Sequence, residues 1–133
     1  MDSITTILSS AKAKARNYPQ FAYLLNQSGI QKYRVELPTN TTTYYGNGED
    51  QVWSVAGEAI ADVKQTPYAF DEVGVVAALR ANQEGRTDFQ TFLQQIWLAG
   101  IIYYDADLQA RVVTYYGADG QFYVEHFPLV VVG

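Results

Sequence analysis

Hydrophobic residues recur at helical spacing in two segments of the first half of the chain. The first segment follows Ser3, a suitable N-cap, and has apolar residues three or four positions apart: Ile4, Ile7, Leu8 and Ala11. The second is predicted to run from about Pro19 to Ser28, with Asn17 as its N-cap. Gly29 closes it, because glycine adopts the left-handed conformation at a helix end at little cost.

The second half of the chain shows the same signals. A third helix is predicted to stop near Gly85, and its apolar residues are Val73, Val76, Ala77 and Leu79. A fourth helix is predicted to begin after Thr87 or Asp88, either of which can cap it, and its apolar residues are Phe92, Leu93, Ile96 and Trp97. Gly100 closes this helix as Gly29 closes the second one.

Three short strands are predicted after each helix pair, because runs rich in β-branched and aromatic residues are bounded there by turn residues. They cover residues 30–37, 41–46 and 50–56 in the first half, and 101–106, 111–116 and 121–127 in the second. Asn47-Gly48 and Asp119-Gly120 are the strongest hairpin signals, since both dipeptides accept positive φ. The pattern therefore predicts helix, helix and three strands, twice.

The two halves also share sequence. With a shift of 71 residues, from Gly29 to Gly100, residues 17–46 match residues 88–117 without a gap. Nine of these thirty positions are identical, against about two for unrelated sequences of ordinary composition. The identical pairs are Phe21/Phe92, Gly29/Gly100, Ile30/Ile101, Tyr33/Tyr104, Leu37/Leu108, Thr43/Thr114, Tyr44/Tyr115, Tyr45/Tyr116 and Gly46/Gly117.

The expected fold class is α+β. It is an internal duplication of an αα-βββ unit, in which two helix pairs pack on antiparallel sheet about a pseudo-twofold axis. The 133 residues are expected to form a single domain, 1–133, with pseudo-repeats at about 1–57 and 71–128. The connector, residues 58–70, has no clear periodicity and is expected to run over the surface between the halves.

Composition narrows the classes of function. The net charge is −5, and the basic residues cluster only at Lys12, Lys14 and Arg16, so nucleic acid is not an expected partner. The absence of cysteine excludes disulfides, thiolate metal sites and thiol catalysis. No stretch approaches the ~20 apolar residues that span a bilayer, and no signal-peptide pattern is visible. A cytoplasmic protein without membrane contact is therefore expected.

The second half carries a set of spaced motifs. They are Gln83-x-Gly85-x-Thr87-Asp88-Phe89 followed by Phe92, then Ala99-Gly100-Ile101, then Thr114-Tyr115-Tyr116, and finally Val124-Glu125 shortly before Pro128. These motifs resemble those of a family of small bacterial and prophage proteins, a domain of unknown function often labelled "phage envelope protein". The resemblance covers nearly the whole chain, more weakly before Thr43. It implies a similar length and fold, and no established activity.

The acid–base groups do not form a convincing catalytic set, so no catalytic residue is assigned. His126 is the only histidine, and on a strand its side chain points away from that of Glu125. Asp88 is expected to cap the fourth helix and to complement its dipole. The acidic pairs Glu49-Asp50 and Asp105/Asp107 are interpreted as solvated turn charges, because further ligands at regular spacing are absent. Neither a metal nor a cofactor is predicted.

The tyrosines are the stronger candidates for a binding surface. Tyr44-Tyr45 and Tyr115-Tyr116 are related by the repeat, and on a strand one residue of each pair faces the helices while the other faces outward. The candidate surface residues are Tyr33, Tyr44, Tyr45, Trp53, Tyr104, Tyr115, Tyr116 and Tyr123. An equal alternative is that these residues merely pack the sheet. The family-motif residues are expected to be structural: Gly85, Thr87, Asp88, Phe92, Gly100 and Glu125.

The sequence as a whole favours a non-enzymatic binding protein that uses this aromatic surface. Its partner is not identified, and both a homodimer and a protein partner stay open. One alternative is an enzyme acting on a small molecule, which would need Asp88, Glu125 or His126 to converge in one pocket. Another is a phage-derived structural component, which rests on the family label alone.

Overall fold

The computed structural model describes residues 3–48, 50–60 and 67–132, and it confirms the α+β class. Within these ranges the helix–helix–strand–strand–strand order occurs twice. The elements are α1 (Ile4–Lys14), α2 (Tyr18–Gln27), β1 (Lys32–Glu36), β2 (Thr41–Tyr45), β3 (Val52–Ala56), α3 (Glu72–Gln83), α4 (Phe89–Leu98), β4 (Ile101–Asp107), β5 (Val112–Gly117) and β6 (Phe122–His126).

The strands form a six-stranded antiparallel sheet in the order β3-β2-β1-β4-β5-β6. The central pair, β1 and β4, places Arg34 opposite Asp105, which is the residue 71 positions later. Adding 71 to any residue pair of β1 and β2 also gives a residue pair of β4 and β5. The four central strands are therefore symmetric about the Arg34–Asp105 pair.

The outer strands depart from this symmetry by one residue, because their hairpins differ in length. The β2–β3 hairpin is closed by Gly46, whose N–H donates to the carbonyl of Gln51 at 2.7 Å. The β5–β6 hairpin is one residue shorter and is closed by Gly117, whose N–H donates to the carbonyl of Gln121 at 2.8 Å. Residues of β3 and β6 therefore correspond with a shift of 70 rather than 71.

Helices α2 and α4 begin at their predicted N-cap residues. The side chain of Asn17 accepts a hydrogen bond from the Gln20 N–H at 3.0 Å, and that of Asp88 accepts one from the Thr91 N–H at 2.7 Å. Helix α3 departs from its predicted apolar face, because Val73 is 80% exposed while Val75 is buried. This orientation places Gly74 against α4, where a Cβ would lie 3.1 Å from Ala99 Cβ.

The core lies between the helices and one face of the sheet. Its fully buried large side chains are Trp97, Leu25, Ile30, Leu37, Leu93, Ile96, Ile101, Val35 and Val75. The described start of the predicted connector is bonded to both halves: Asn40 and Gln90 donate to the Glu58 carbonyl, Gln90 also donates to that of Ala59, and Ile60 is buried. Residues 61–66 of the connector lie outside the described residues.

Candidate functional site

Alternation along the strands gives the sheet two faces of different character. The central residues that point towards the helices are buried, whereas those that point the other way are half-buried or exposed. We call this second side the open face. On the open face, residues that are directly opposite in register form rows across the strands. One of these rows is aromatic, and another contains an ion pair.

The first of these rows, called the aromatic row, consists of Tyr103, Tyr116 and Phe122 on β4, β5 and β6. The rings of Tyr103 and Tyr116 are stacked, with centroids 4.7 Å apart and an interplanar angle of 19°. The ring centroids of Tyr116 and Phe122 are 6.4 Å apart. Phe122 is 57% exposed. Three aromatic rings thus form a contiguous apolar surface that ends at the edge of the sheet.

The second row is centred on an ion pair between β1 and β4. Arg34 donates from Nε and Nη2 to the two carboxylate oxygens of Asp105, at 2.6 and 2.8 Å. The same guanidinium lies 4.5 Å from the ring centroid of Tyr103, which joins the ion pair to the aromatic row. The hydrogen bonds from Arg34 to Asp105 raise the pKa of the guanidinium above its ordinary value, despite some desolvation. Asp105 is therefore a partner of Arg34 on a strand, and its interpretation as a solvated turn charge was wrong.

The opposite corner of the open face is less apolar. Lys32 Nζ lies 5.2 Å from the ring centroid of Tyr45, and a shift of 71 residues relates this pair to the Tyr103–Tyr116 stack. Lys32 and Tyr45 border a concavity of about 530 Å³. Arg34 and Asp105 also line it. The open face thus combines an aromatic end with a charged, concave centre.

Only two of the eight predicted surface aromatics point to the open face, namely Tyr45 and Tyr116. Their neighbours Tyr44 and Tyr115 point to the helices and are core residues, as the alternation predicts. Tyr33 and Tyr104 are also in the core. Trp53 and Tyr123 lie opposite Tyr44 and Tyr115 in register, so they too are on the helix side, where both are half-buried. The predicted set therefore divides between the two faces.

The buried tyrosines form one cluster beneath the helices. The hydroxyl of Tyr18 on α2 is 2.7 Å from that of Tyr33 on β1. Tyr33 packs on Tyr44 at 5.5 Å, and Tyr104 packs on Tyr115 at 5.0 Å. Burial raises the pKa of all five phenols, and it raises that of Tyr44 to about 12.

This cluster predicts that the alkaline ionisation of its five tyrosines is coupled to unfolding. A raised phenol pKa in the folded state means that these tyrosines stabilise the fold at neutral pH, and that this contribution is lost as pH rises above about 10. Tyrosinate absorbance and far-UV circular dichroism are followed together as the pH is raised. We expect the five tyrosines of the cluster to ionise only as the protein unfolds. Complete ionisation of all eleven tyrosines before any loss of secondary structure would contradict this.

Glu125 lies on the helix-facing side of β6, in a polar cluster with α3. Its carboxylate accepts hydrogen bonds from Arg80 at 2.8 Å, Gln83 at 3.2 Å and the hydroxyl of Tyr123 at 3.1 Å. Desolvation alone would raise the pKa of Glu125, but these three donors outweigh it and leave the pKa below its ordinary value. Two distant parts of the family motif, Gln83 and Glu125, thus meet and tie α3 to β6.

A depressed carboxyl pKa gives an acid-dependent contribution to stability. The contribution of Glu125 is fully present above its unfolded-state pKa of about 4.3 and is lost as pH falls through the lower folded-state value. We therefore expect Glu125→Gln to destabilise the protein at pH 7 and to differ much less from the wild type at about pH 3. Urea denaturation of both proteins across this range measures the difference. A difference that does not change with pH would contradict this role of the carboxylate.

The acid–base groups of the enzymatic alternative have separate surroundings. Asp88 is an exposed N-cap, and the hydrogen bond from Thr91 lowers its pKa. Glu125 points to the helix side of β6 and is held by its three donors. His126 is exposed and, as the next residue on the strand, points to the other face. The structure does not bring these three groups together.

The remaining family-motif residues have structural surroundings. Asn82 donates to the carbonyl and hydroxyl oxygens of Thr87, which fixes the turn between α3 and α4. Gly85 takes a φ of +75° in that turn. Phe92 packs edge-on against Tyr115, with centroids 6.4 Å apart. In the residues that the structure describes, no cluster of His, Asp and Glu could hold a metal ion. None of the helices in these ranges is long and apolar enough to cross a membrane.

Sequence reasoning did not single out three open-face residues, Arg34, Tyr103 and Phe122, and it interpreted the fourth, Asp105, as a solvated turn charge. One signal was available, because Arg34 and Asp105 are opposite charges at equivalent positions of the repeat, and strands joined about a pseudo-twofold axis place such positions side by side. Tyr103 matches Lys32 in the repeat, and Phe122 lies beyond its gapless part. The aromatic row therefore exists in one half only, and a search for repeated tyrosines passes over it.

The fold and the site define an α+β protein with paired helices on one side of a six-stranded antiparallel sheet and an aromatic row on the other. Residues 5–126 match the model of a family described as "Protein of unknown function (DUF1398)", and the chain belongs to this family. It is similar to "Uncharacterized protein Rv2012" of Mycobacterium tuberculosis and to "Uncharacterized protein Mb2035" of Mycobacterium bovis. Each is 37% identical over 116 residues, which are 85% of this chain and 68% of the relative.

Proposed function

We propose that this chain is a non-enzymatic binding protein that docks a protein partner on the open face. The observation that carries the proposal is the aromatic row, in which the stacked rings of Tyr103 and Tyr116 are followed by the tilted, 57% exposed ring of Phe122. Tyrosine, phenylalanine and arginine are the residues in which protein interfaces are enriched. Arg34 adjoins the row, already oriented by Asp105 and by the ring of Tyr103.

The open face also indicates which chemical groups the contact surface of the partner should contain. An apolar or aromatic side chain of the partner would cover Tyr116 and Phe122, which removes apolar surface from water. Beside them, the ion pair of Arg34 and Asp105 is partly exposed, with side-chain exposures of 43% and 36%, and keeps unused hydrogen-bonding capacity for polar groups of the partner. An apolar anchor flanked by polar contacts is the usual anatomy of a protein interface.

The enzymatic alternative has less support, because its acid–base groups do not share a pocket. Asp88 is occupied as a helix cap, and Glu125 and His126 point to opposite faces of β6. Direct proton transfer between such groups and a common substrate requires hydrogen-bond distances, or one bridging water. We therefore do not assign a reaction.

The test compares capture of partners by matched variants. Protein immobilised through its N-terminus is incubated with lysate of its host, and the retained proteins are quantified by mass spectrometry. Phe122→Ala and Tyr116→Ala shorten the aromatic row. Val52→Ala is the control, since Val52 is 46% exposed and stands opposite Tyr45 as Phe122 stands opposite Tyr116.

We expect at least one protein whose retention falls about tenfold or more with both aromatic variants, as for an interface hot spot, and is unchanged with Val52→Ala. Proteins that are lost equally with all three variants would indicate a general defect. If every protein retained by the wild type were also retained by both aromatic variants, the open face would not be the docking site.

We also propose that the twofold relation of the central strands arose by duplication of an αα-βββ unit, within one cooperative domain. The sequence identities and the shared register of the two halves support this. The label of the resembling family supports an alternative, a phage-derived structural component. We also propose a cytoplasmic location. Large particles that assemble in solution from many copies of the chain would favour a phage structural role. A fluorescent fusion would test the cellular location.

A further inference from the structure

The two edge strands of the sheet differ in whether charged residues or proline protect them. Edge strands expose unpaired backbone N–H and C=O groups, and charged residues or proline usually protect them from pairing with other chains. β6 contains Glu125 and His126, and Pro128 follows it. β3 is Val-Trp-Ser-Val-Ala, without a charge or a proline. Among the described strands none pairs with the outer side of β3.

The register identifies the backbone groups of β3 that do not pair with β2. The Gly46 N–H donates to the Gln51 carbonyl, and the Gly57 N–H donates to the Asn40 carbonyl, at the two ends of the β2–β3 ladder. Hydrogen-bonded pairs alternate along an antiparallel ladder, so Trp53 and Val55 bond to β2 between these ends. The N–H and C=O groups of the other three residues therefore point outward: Val52, Ser54 and Ala56.

These three residues are spaced so that β3 is complementary to itself. If a second β3 runs antiparallel with its Ser54 opposite Ser54, then Val52 of each copy stands opposite Ala56 of the other. All three outward-facing residues then meet as hydrogen-bonded pairs, which satisfies the exposed N–H and C=O groups. The same register places Trp53 opposite Val55 of the second copy, an aromatic and β-branched pair that stabilises antiparallel sheets.

We infer that β3 is a self-association edge, at which two copies of this chain join their sheets about a twofold axis through Ser54. This contact is distinct from the aromatic row, which lies at the other end of the sheet. A five-residue strand gives a small interface, and small interfaces belong to weak complexes. The dimer is therefore expected to dissociate in the range of about 1 µM to 1 mM.

The first experiment uses a single introduced thiol, because the chain has no cysteine of its own. In the inferred dimer the two Ser54 Cα atoms are about 5.5 Å apart, a separation that a disulfide can bridge. Ser54→Cys is expected to form a covalent dimer under mild oxidation. The control is Val124→Cys, which occupies the equivalent outward position on β6. Cross-linking of Val124→Cys to the same extent, or of that variant alone, would overturn the inference.

The second experiment changes the charge on the axis. In the dimer, Ser54→Lys and Ser54→Asp each place two like charges opposite one another. In the monomer, each substitution changes only a side chain that is exposed to solvent. Sedimentation equilibrium should show a dissociation constant raised about fivefold or more for each variant alone. An equimolar mixture should form heterodimers at least as well as the wild type. The inference fails if the wild type is monomeric at about 1 mM, or if the mixture associates no better than the separate variants.

Discussion

Gly100→Ala is expected to lower the free energy of unfolding by about 2–5 kcal/mol. Gly100 follows α4 with a φ of +93°, a conformation that costs an L-residue about 1–2 kcal/mol. A Cβ at this position would also lie 2.5 Å from the Ala69 carbonyl oxygen and 2.6 Å from Phe70 Cα. These are backbone atoms of the segment leading into α3, so relief of the clash requires the chain itself to move.

Gly85→Ala is the matched control for this substitution. Gly85 also has a positive φ, +75°, but the space around its Cβ position is open to 4 Å. Its expected cost is about 1 kcal/mol, from the backbone conformation alone. Urea denaturation followed by far-UV circular dichroism gives both values. Equal losses in the two variants would show that Gly100 serves only to end α4, and that its close contact with the Ala69–Phe70 backbone carries no energy.

Tyr115→Ala is expected to destabilise the protein by about 3–5 kcal/mol, whereas Tyr116→Ala should cost about 1 kcal/mol. Tyr115 is 5% exposed and lies in the buried tyrosine cluster, so its truncation leaves a cavity in the core. Tyr116 loses mainly its stacking on Tyr103 and its contact with Phe122. The two residues are neighbours in sequence, and the difference between them comes from the face of the sheet that each one occupies.

Chemical denaturation and partner capture together test this division. Tyr115→Ala should shift the denaturation midpoint strongly, while Tyr116→Ala stays folded and loses the partner. Tyr44→Ala, in the equivalent core position of the first half, should behave as Tyr115→Ala does. Equal destabilisation by Tyr115→Ala and Tyr116→Ala would contradict the assignment of Tyr116 to a binding surface.

The sequence contains enough information for most of the fold. Hydrophobic spacing and capping residues predict the four helices, and the positive-φ glycines Gly29 and Gly100 mark two of their ends. Hairpin residues and the internal match predict three strands per half. The face that the helices of each half cover is harder to predict, because period-2 alternation shows which residues share a face and not which face is covered. For this reason the sequence places Tyr33 and Tyr104 on the candidate surface, whereas both are buried in the core.

The candidate site depends on long-range pairing, which local pattern does not determine. Arg34 and Asp105 are 71 residues apart and meet only because β1 and β4 join at the centre of the sheet. Phe122 completes the aromatic row through the β5–β6 register, which a shorter hairpin moves by one residue relative to the first half. The partner itself leaves no motif in this chain, so its identity has to come from experiment.

The central claim is that a partner docks on the open face, and site-specific photocross-linking tests it most directly. Benzoylphenylalanine is introduced separately at Phe122 on β6 and at Phe89 on α4, two exposed aromatic positions on opposite layers, 57% and 52% exposed. Irradiation in the host, followed by mass spectrometry, should give a specific protein adduct from position 122 and none of that protein from position 89. Cross-linking of the same protein from position 89 alone would place the docking surface on the helices and contradict the account.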